Sequence, residues 1–311
     1  SSQLYHQIRA LEQEIHHYAG REFNVNSTKQ LDQVLFEDLK LPVIERTRTR
    51  GYSTAARVLE ELKGQHPIIS AVLKYRELTK LKSTYLDALP LLVNPRTSRV
   101  HTSYNQTGTV TGRISSSNPN LQNIPIRSEL GREIRRAFVA APGCVLLGAD
   151  YSQIDLRVLA HISGESNLVE AFHRGEDIHA STASAVYRVP LSEVTSEQRR
   201  LAKTVNFAIV YGVTGYGLAQ QSDLTQEEAA AFIESYFTQY PGVRDYMGRI
   251  KAEARQKGYV STLLGRRRYF PQFSKPGANR FEIQAAERAA INSPVQGSAA
   301  DIIKLAMIEL D

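Results

Sequence analysis

Between His66 and Leu89 the stretch "HPIISAVLKYRELTKLKSTYLDAL" places apolar residues at Ile69, Val72, Leu73 and Leu78. That i, i+3, i+4 spacing predicts an amphipathic helix. The other face carries Lys74, Arg76, Lys80 and Lys82, a charged face that suits solvent or a phosphate backbone. Residues 1–88 read as largely helical. Residues 91–148 change texture, with many Thr, Ser, Asn and Gly and short alternating stretches. Within them, 115–123 is too polar for a core and too long for a simple turn, the mark of a functional or disordered segment. "REIRRAFVA" and "GCVLLGAD" then read as strands, the second buried on both faces and ending on Asp150. From Ile154 the pattern is helical again, including a helix over Gln226–Gln239 and a basic turn "LLGRRRYF". The stretch 280–310 predicts two helices broken at "NSPVQGS", where Pro294 and Gly297 interrupt the period.

The segment "VTSEQRRLAKTVNFAIVYG" adds chemistry to pattern. Thr195 with Gln198 fits a capping box, and Gly212 fits the position just past a helix end. Arg199, Lys203, Phe207 and Tyr211 are spaced by four, so they drift slowly around one face. Three cations, Arg199, Arg200 and Lys203, crowd the N-terminal half, where the helix dipole favours acids by ~0.3–1 kcal/mol each. A helix N-terminus with added cations is an anion site. With flat rings one and two turns further on, the face suits phosphates at one end and a ring at the other. The plainer reading of the isolated motif is a solvated basic end followed by core aromatics.

Composition narrows the setting. The 311 residues suggest two or three modules; 42% are hydrophobic, 23% charged and 8% aromatic, within the ordinary range for globular proteins. The net charge of +6 fits a polyanionic partner or an unremarkable basic protein. Cys144 is the only cysteine, which excludes an internal disulfide and a cysteine-based zinc site and suits a reducing cytosol. No apolar run reaches the ~18 residues of a membrane helix, and no basic-then-apolar leader opens the chain. A first residue of Ser rather than Met is expected of a fragment.

Four segments together resemble family A DNA polymerases. "DYSQIDLR" (Asp150–Arg157) resembles that family's motif A, and "RRLAKTVNFAIVYG" (Arg199–Gly212) its motif B. "TGRISSSNPNLQNIPIR" (Thr111–Arg127) resembles its primer–template grip, and "ERAAINSPVQGSAAD" (Glu287–Asp301) a later minor-groove segment. The resemblance covers essentially the whole chain and implies an α+β right-hand fold, with an antiparallel palm sheet and largely helical thumb and fingers. It places a thumb at 1–89, palm at 90–159, fingers at 160–280 and a palm return at 281–311.

The reaction implied is attack of a primer 3′-hydroxyl on a deoxynucleoside triphosphate, assisted by two Mg²⁺ ions. Asp150 and the carbonyl of Tyr151 are the implied metal ligands, hard oxygens of the kind magnesium prefers. Lys203 is the implied triphosphate contact and proton donor to pyrophosphate. Arg199 and His179 are further phosphate contacts, and Gln153 lines the nucleotide site. Phe207 is implied to stack on base and sugar, where a Phe goes with poorer use of dideoxynucleotides, and Tyr211 to pack near the templating pair. Arg113, Asn123, Arg127, Arg288, Asn292 and Gln296 are the implied DNA contacts. Those in the minor groove check pair shape rather than sequence.

Two departures stand out. Asp155 occupies a position where the family usually has Glu, which sits under the sugar and excludes a 2′-hydroxyl, so weaker discrimination against ribonucleotides is expected. The family's second metal carboxylate lies in a His-Asp-Glu motif, expected beyond residue 311; neither Asp301 nor Glu309 stands in a strand-tip context. The resemblance further implies a monomer in the bacterial cytoplasm, at the nucleoid, with primer–template DNA and deoxynucleotides as partners and no membrane. A non-catalytic primer–template binding module is the competing reading. A nucleotide-dependent hydrolase is disfavoured because no Walker-type loop is present.

Overall fold

The computed structural model describes residues 2–47, 51–126 and 128–310. Arg127, one of the expected DNA contacts, lies outside them. The chain divides into two compact units, Ser1–Ser103 with Ser116–Leu146, and Tyr104–Ser115 with Leu147–Asp311. Both are mainly helical. Three two-stranded sheets occur among the described residues. Val93–Asn94 pairs antiparallel with Arg99–Val100, and Tyr259–Ser261 with Arg267–Tyr269.

In the first unit, helices Ser2–Ala19 and Pro67–Leu81 pack together. Their core includes Ile15, Leu31, Leu35, Leu59, Ile68, Ile69 and Val72. Pro67 opens its helix where a missing N–H costs nothing, and the His66 ring accepts from the Ile68 amide at 3.2 Å. The predicted stripe is buried at Ile69, Val72 and Leu78. The basic face is not all free. Arg76 turns inward to Thr54, donating to its carbonyl and, at 3.2 Å, its hydroxyl, while Lys74 and Lys82 pair with Glu77 and Asp87.

"REIRRAFVA" is not a strand. Helix Glu129–Arg136 starts on Ser128, whose hydroxyl accepts from the Gly131 amide at 3.1 Å. Glu129 in its first turn and Arg135 and Arg136 in its last complement the dipole. Leu130, Ile134 and Phe138, four apart, pack with Leu81 and Tyr85. The buried strand expected over "GCVLLGAD" is also absent. Residues 143–150 have no regular structure, and Val145, Leu146 and Leu147 are 87%, 70% and 87% exposed. A strand needs a neighbouring ladder for its backbone groups, and none of the described residues supplies one here.

The second unit gathers helices Ile154–Ser163, Ser166–His173, Ile178–Tyr187, Ser196–Val210, Gln226–Gln239, Pro241–Lys257 and Arg280–Leu310. Its core includes Leu156, Leu159, Val205, Ile209, Tyr236, Val243 and Val295. The break expected at "NSPVQGS" does not occur. Arg280–Leu310 is one helix with Pro294 inside it, and residues 290–300 are all buried. Pro costs a helix interior ~3 kcal/mol. Burial of several side chains on both sides, each worth ~1.5–3 kcal/mol when fully apolar, outweighs that cost.

Candidate nucleotide and nucleic-acid site

Helix Ser196–Val210 starts on the predicted capping box, with both reciprocal bonds formed between Thr195 and Gln198 at 2.9 and 3.2 Å. Its cations are handled separately. Arg199 Nε donates to Asp177 Oδ2 at 2.7 Å. Arg200 pairs with Asp223 at 3.2 Å on the exposed surface. Lys203 is exposed, with no ion pair among the described residues.

Asp177 serves two helices. Its Oδ1 caps Ile178–Tyr187 by accepting from the His179 and Ala180 amides at 2.9 and 3.1 Å. Burial raises its pKa, but Arg199 and those amides outweigh that and hold the carboxyl below its ordinary range. His179 follows and is only 3% exposed, not the surface residue its sequence context alone suggests. Its ring lies 5.8 Å from that of Phe207, tilted by 45°. Burial lowers its pKa; Asp177 pulls upward while Arg199 and Lys203 reinforce the fall. His179 is thus flanked by Arg199, Lys203 and Phe207 along the length of helix Ser196–Val210.

The other end of that helix is tied to Arg280–Leu310. Asn292 Nδ2 donates to the Val210 carbonyl at 3.3 Å, and Gln296 Nε2 to the Tyr211 hydroxyl at 2.7 Å. Asn292 and Gln296 are each 7% exposed, so their amides serve this junction. Gly212 takes φ +64°, and a Cβ there would lie 3.1 Å from Ile291 Cδ1. Tyr211 is half exposed, and Arg288 is exposed. In the first unit Asn123 is exposed, its carbonyl accepting from the Tyr85 hydroxyl.

Asp150 and Tyr151 are exposed and precede a turn in which Gln153 takes φ +57°. Arg157 secures that turn, donating from Nε to the Ser152 carbonyl at 3.0 Å with its guanidinium 4.5 Å from the Phe172 ring centroid. Asp155 points inward, 14% exposed, with Oδ2 3.6 Å from Arg113 and Oδ1 buried without a partner. Burial raises its pKa, partly offset by Arg113. No group of three or more His, Cys, Asp or Glu placed to hold a metal occurs among the described residues. The Asp150 carboxylate and Tyr151 carbonyl match magnesium in donor chemistry but fill only part of an octahedral shell.

Arg266, unremarked in the basic turn, is a hub. Its Nε donates to Asp301 Oδ1 at 2.9 Å, and its Nη2 to the Thr111 and Gly297 carbonyls at 2.6 and 3.0 Å. A Cβ on Gly112 would lie 2.4 Å from this guanidinium carbon. Asn206 and Thr182, both fully buried, were also missed, although a polar Asn at a core-facing helical position is a legible anomaly.

One helix thus offers two cations and an aromatic ring, with a buried histidine of the neighbouring helix beside that ring. The chain belongs to DNA polymerase family A, whose model matches residues 1–311. It is 55% identical to DNA polymerase I of Geobacillus stearothermophilus over 99% of this chain and 35% of that protein. It is 52% identical to the thermostable DNA polymerase I of Thermus aquaticus, over 100% of this chain and 37% of that protein. The chain therefore spans about a third of the length of these relatives. Among solved structures it is similar to the POL domain of Pol1 from M. smegmatis in complex with DNA primer-template and dNTP. That match has a TM-score of 0.90 and 47% identity, covering 99% of this chain and 54% of that one.

Proposed function

We propose that this chain carries the nucleotide-binding and primer–template-binding part of a DNA-directed DNA polymerase, acting on deoxynucleoside triphosphates. The observation that carries the reading is the row Arg199, Lys203 and Phe207 beside His179, with Tyr211 at the far end of the same helix. Arg199 offers a fork for the outer phosphates, and Asp177 holds that fork in place until a ligand competes for it. Lys203, exposed and without an ion pair among the described residues, reaches the same phosphates and gives a proton to the departing pyrophosphate. Phe207 supplies the stacking surface. Asp150 and the Tyr151 carbonyl are the residues of this chain that would hold Mg²⁺, which when bound stabilises attacking and leaving oxygens. Residues 1–89 act as thumb, 90–159 and 281–311 as palm and 160–280 as fingers, in a monomer working in the bacterial cytoplasm at the nucleoid.

Primer extension with Mg²⁺ and the four deoxynucleotides tests this. Extension is expected to be abolished in Asp150→Ala and lowered ~10²–10⁴-fold in Lys203→Ala. DNA binding without extension in the unsubstituted chain would favour the non-catalytic module instead. Asp155 bears on sugar choice. The Tyr211 hydroxyl is already engaged by Gln296, and Asp155 faces Arg113, so the shorter acid leaves room beside the sugar. Asp155→Glu should raise the ratio of kcat/KM for deoxy- over ribonucleotides; an unchanged ratio refutes this.

A further inference from the structure

The geometry points to Asn206 as a positioning residue that fixes the ring tautomer of His179, leaving Nδ1 bare and turning an Nε2–H outward toward a phosphate oxygen. This rests on the nucleotide-binding reading above. Asn206 is 0% exposed and lies between Val205 and Phe207 in helix Ser196–Val210. Its Nδ2 is 3.1 Å from His179 Nδ1 and 3.0 Å from Thr182 Oγ1. Thr182 Oγ1 is in turn 3.2 Å from Asn206 Oδ1 and 3.4 Å from the Tyr240 hydroxyl. An amide nitrogen only donates, so the ring nitrogen facing it must be an acceptor. The Asn206 amide nitrogen donates to His179 Nδ1 and to Thr182 Oγ1, while the Asn206 carbonyl oxygen accepts from the Thr182 hydroxyl.

A second observation agrees. The groups around the ring are Asp177 on its own helix and Arg199 and Lys203 on the facing one, and burial with the two cations keeps the ring neutral against Asp177. A neutral ring has one proton to place, and the Asn206 amide places it on Nε2, which makes no hydrogen bond within the described residues. The phosphate face thereby gains a directed donor without a third positive charge beside Arg199 and Lys203.

Long-range ¹H–¹⁵N spectra of the ¹⁵N-histidine-labelled 311-residue chain test it, with His179 assigned by His179→Gln. Wild type is expected to show Nδ1 in the bare, pyridine-type range and Nε2 in the protonated, pyrrole-type range. Asn206→Asp, whose carboxylate only accepts, should move the proton to Nδ1 or make the ring cationic, and Asn206→Leu should give shifts averaged over both tautomers. Addition of inorganic triphosphate should shift the wild-type Nε2 resonance. A wild-type ring protonated at Nδ1 overturns the inference without recourse to any variant. So does an unchanged pattern in folded Asn206→Asp, or an Nε2 resonance that triphosphate leaves still. Primer extension that persists in that last case would spare the nucleotide reading. A pinned Nε2–H tautomer in a chain that binds no deoxynucleoside triphosphate would refute the nucleotide reading alone.

Discussion

His179 shows how one side chain can carry a pH dependence for the whole fold. Its folded pKa lies below the ordinary 6.5 because burial disfavours the imidazolium. As pH falls below about 6.5 the unfolded chain binds a proton that the folded ring refuses, so unfolding is favoured. The His179 contribution is therefore intact above that value and declines as pH drops toward the lowered one. Urea midpoints of wild type and His179→Gln, compared at pH 7.5 and pH 5.5, should differ less at the lower pH. A gap that widens on acidification would contradict the sign.

Among the elements, the helices that carry His179 and Arg199 meet at Asp177. It caps Ile178–Tyr187 through two amides and neutralises Arg199 of the neighbouring helix. Asp177→Ala should cost about 1–2 kcal/mol, the upper part of the range for a lost cap. Asp177→Asn retains an acceptor and should keep most of it, losing mainly an exposed ion pair worth ~0–1 kcal/mol. Thermal unfolding of both variants checks the order. Helix Ser196–Val210 was legible because its cap, period and terminal glycine all agree. Glu129–Arg136 was not, since five charged residues among its eight hide the Leu130–Ile134 pair that packs it. The run "CVLL" looked like a core strand because hydrophobicity marks a wish for burial and says nothing of whether a partner strand lies alongside. Pro294 misled in the opposite sense, as local propensity gave way to tertiary burial. In the site, spacing placed the Arg199–Tyr211 row on one helical face and only the resemblance gave it a role, whereas the tie of Asn206 to His179 joins two helices and has no signature within either.

For the whole molecule, separate cores in the two units imply separable stability. Hydrogen exchange should find protected amides around Ile15, Ile68 and Val72 that open independently of those around Val205, Ile209 and Tyr236. One global opening energy for both sets would contradict this. Binding to primer–template DNA should weaken steeply with salt, with a negative slope of log affinity on log salt set by the phosphates neutralised. Arg266 bears on how such a chain can change over time. It joins a loop 155 positions earlier to the long helix, and Gly112 is bare because the guanidinium fills the space a Cβ would need. In an Arg266→Ala background that obstruction is gone, and Gly112→Ala should cost only its backbone strain, ~1–2 kcal/mol. In wild type it should cost more. Acceptable residues at 112, 266 and 301 are thus inherited as a set, and drift at any one of them is conditional on the other two.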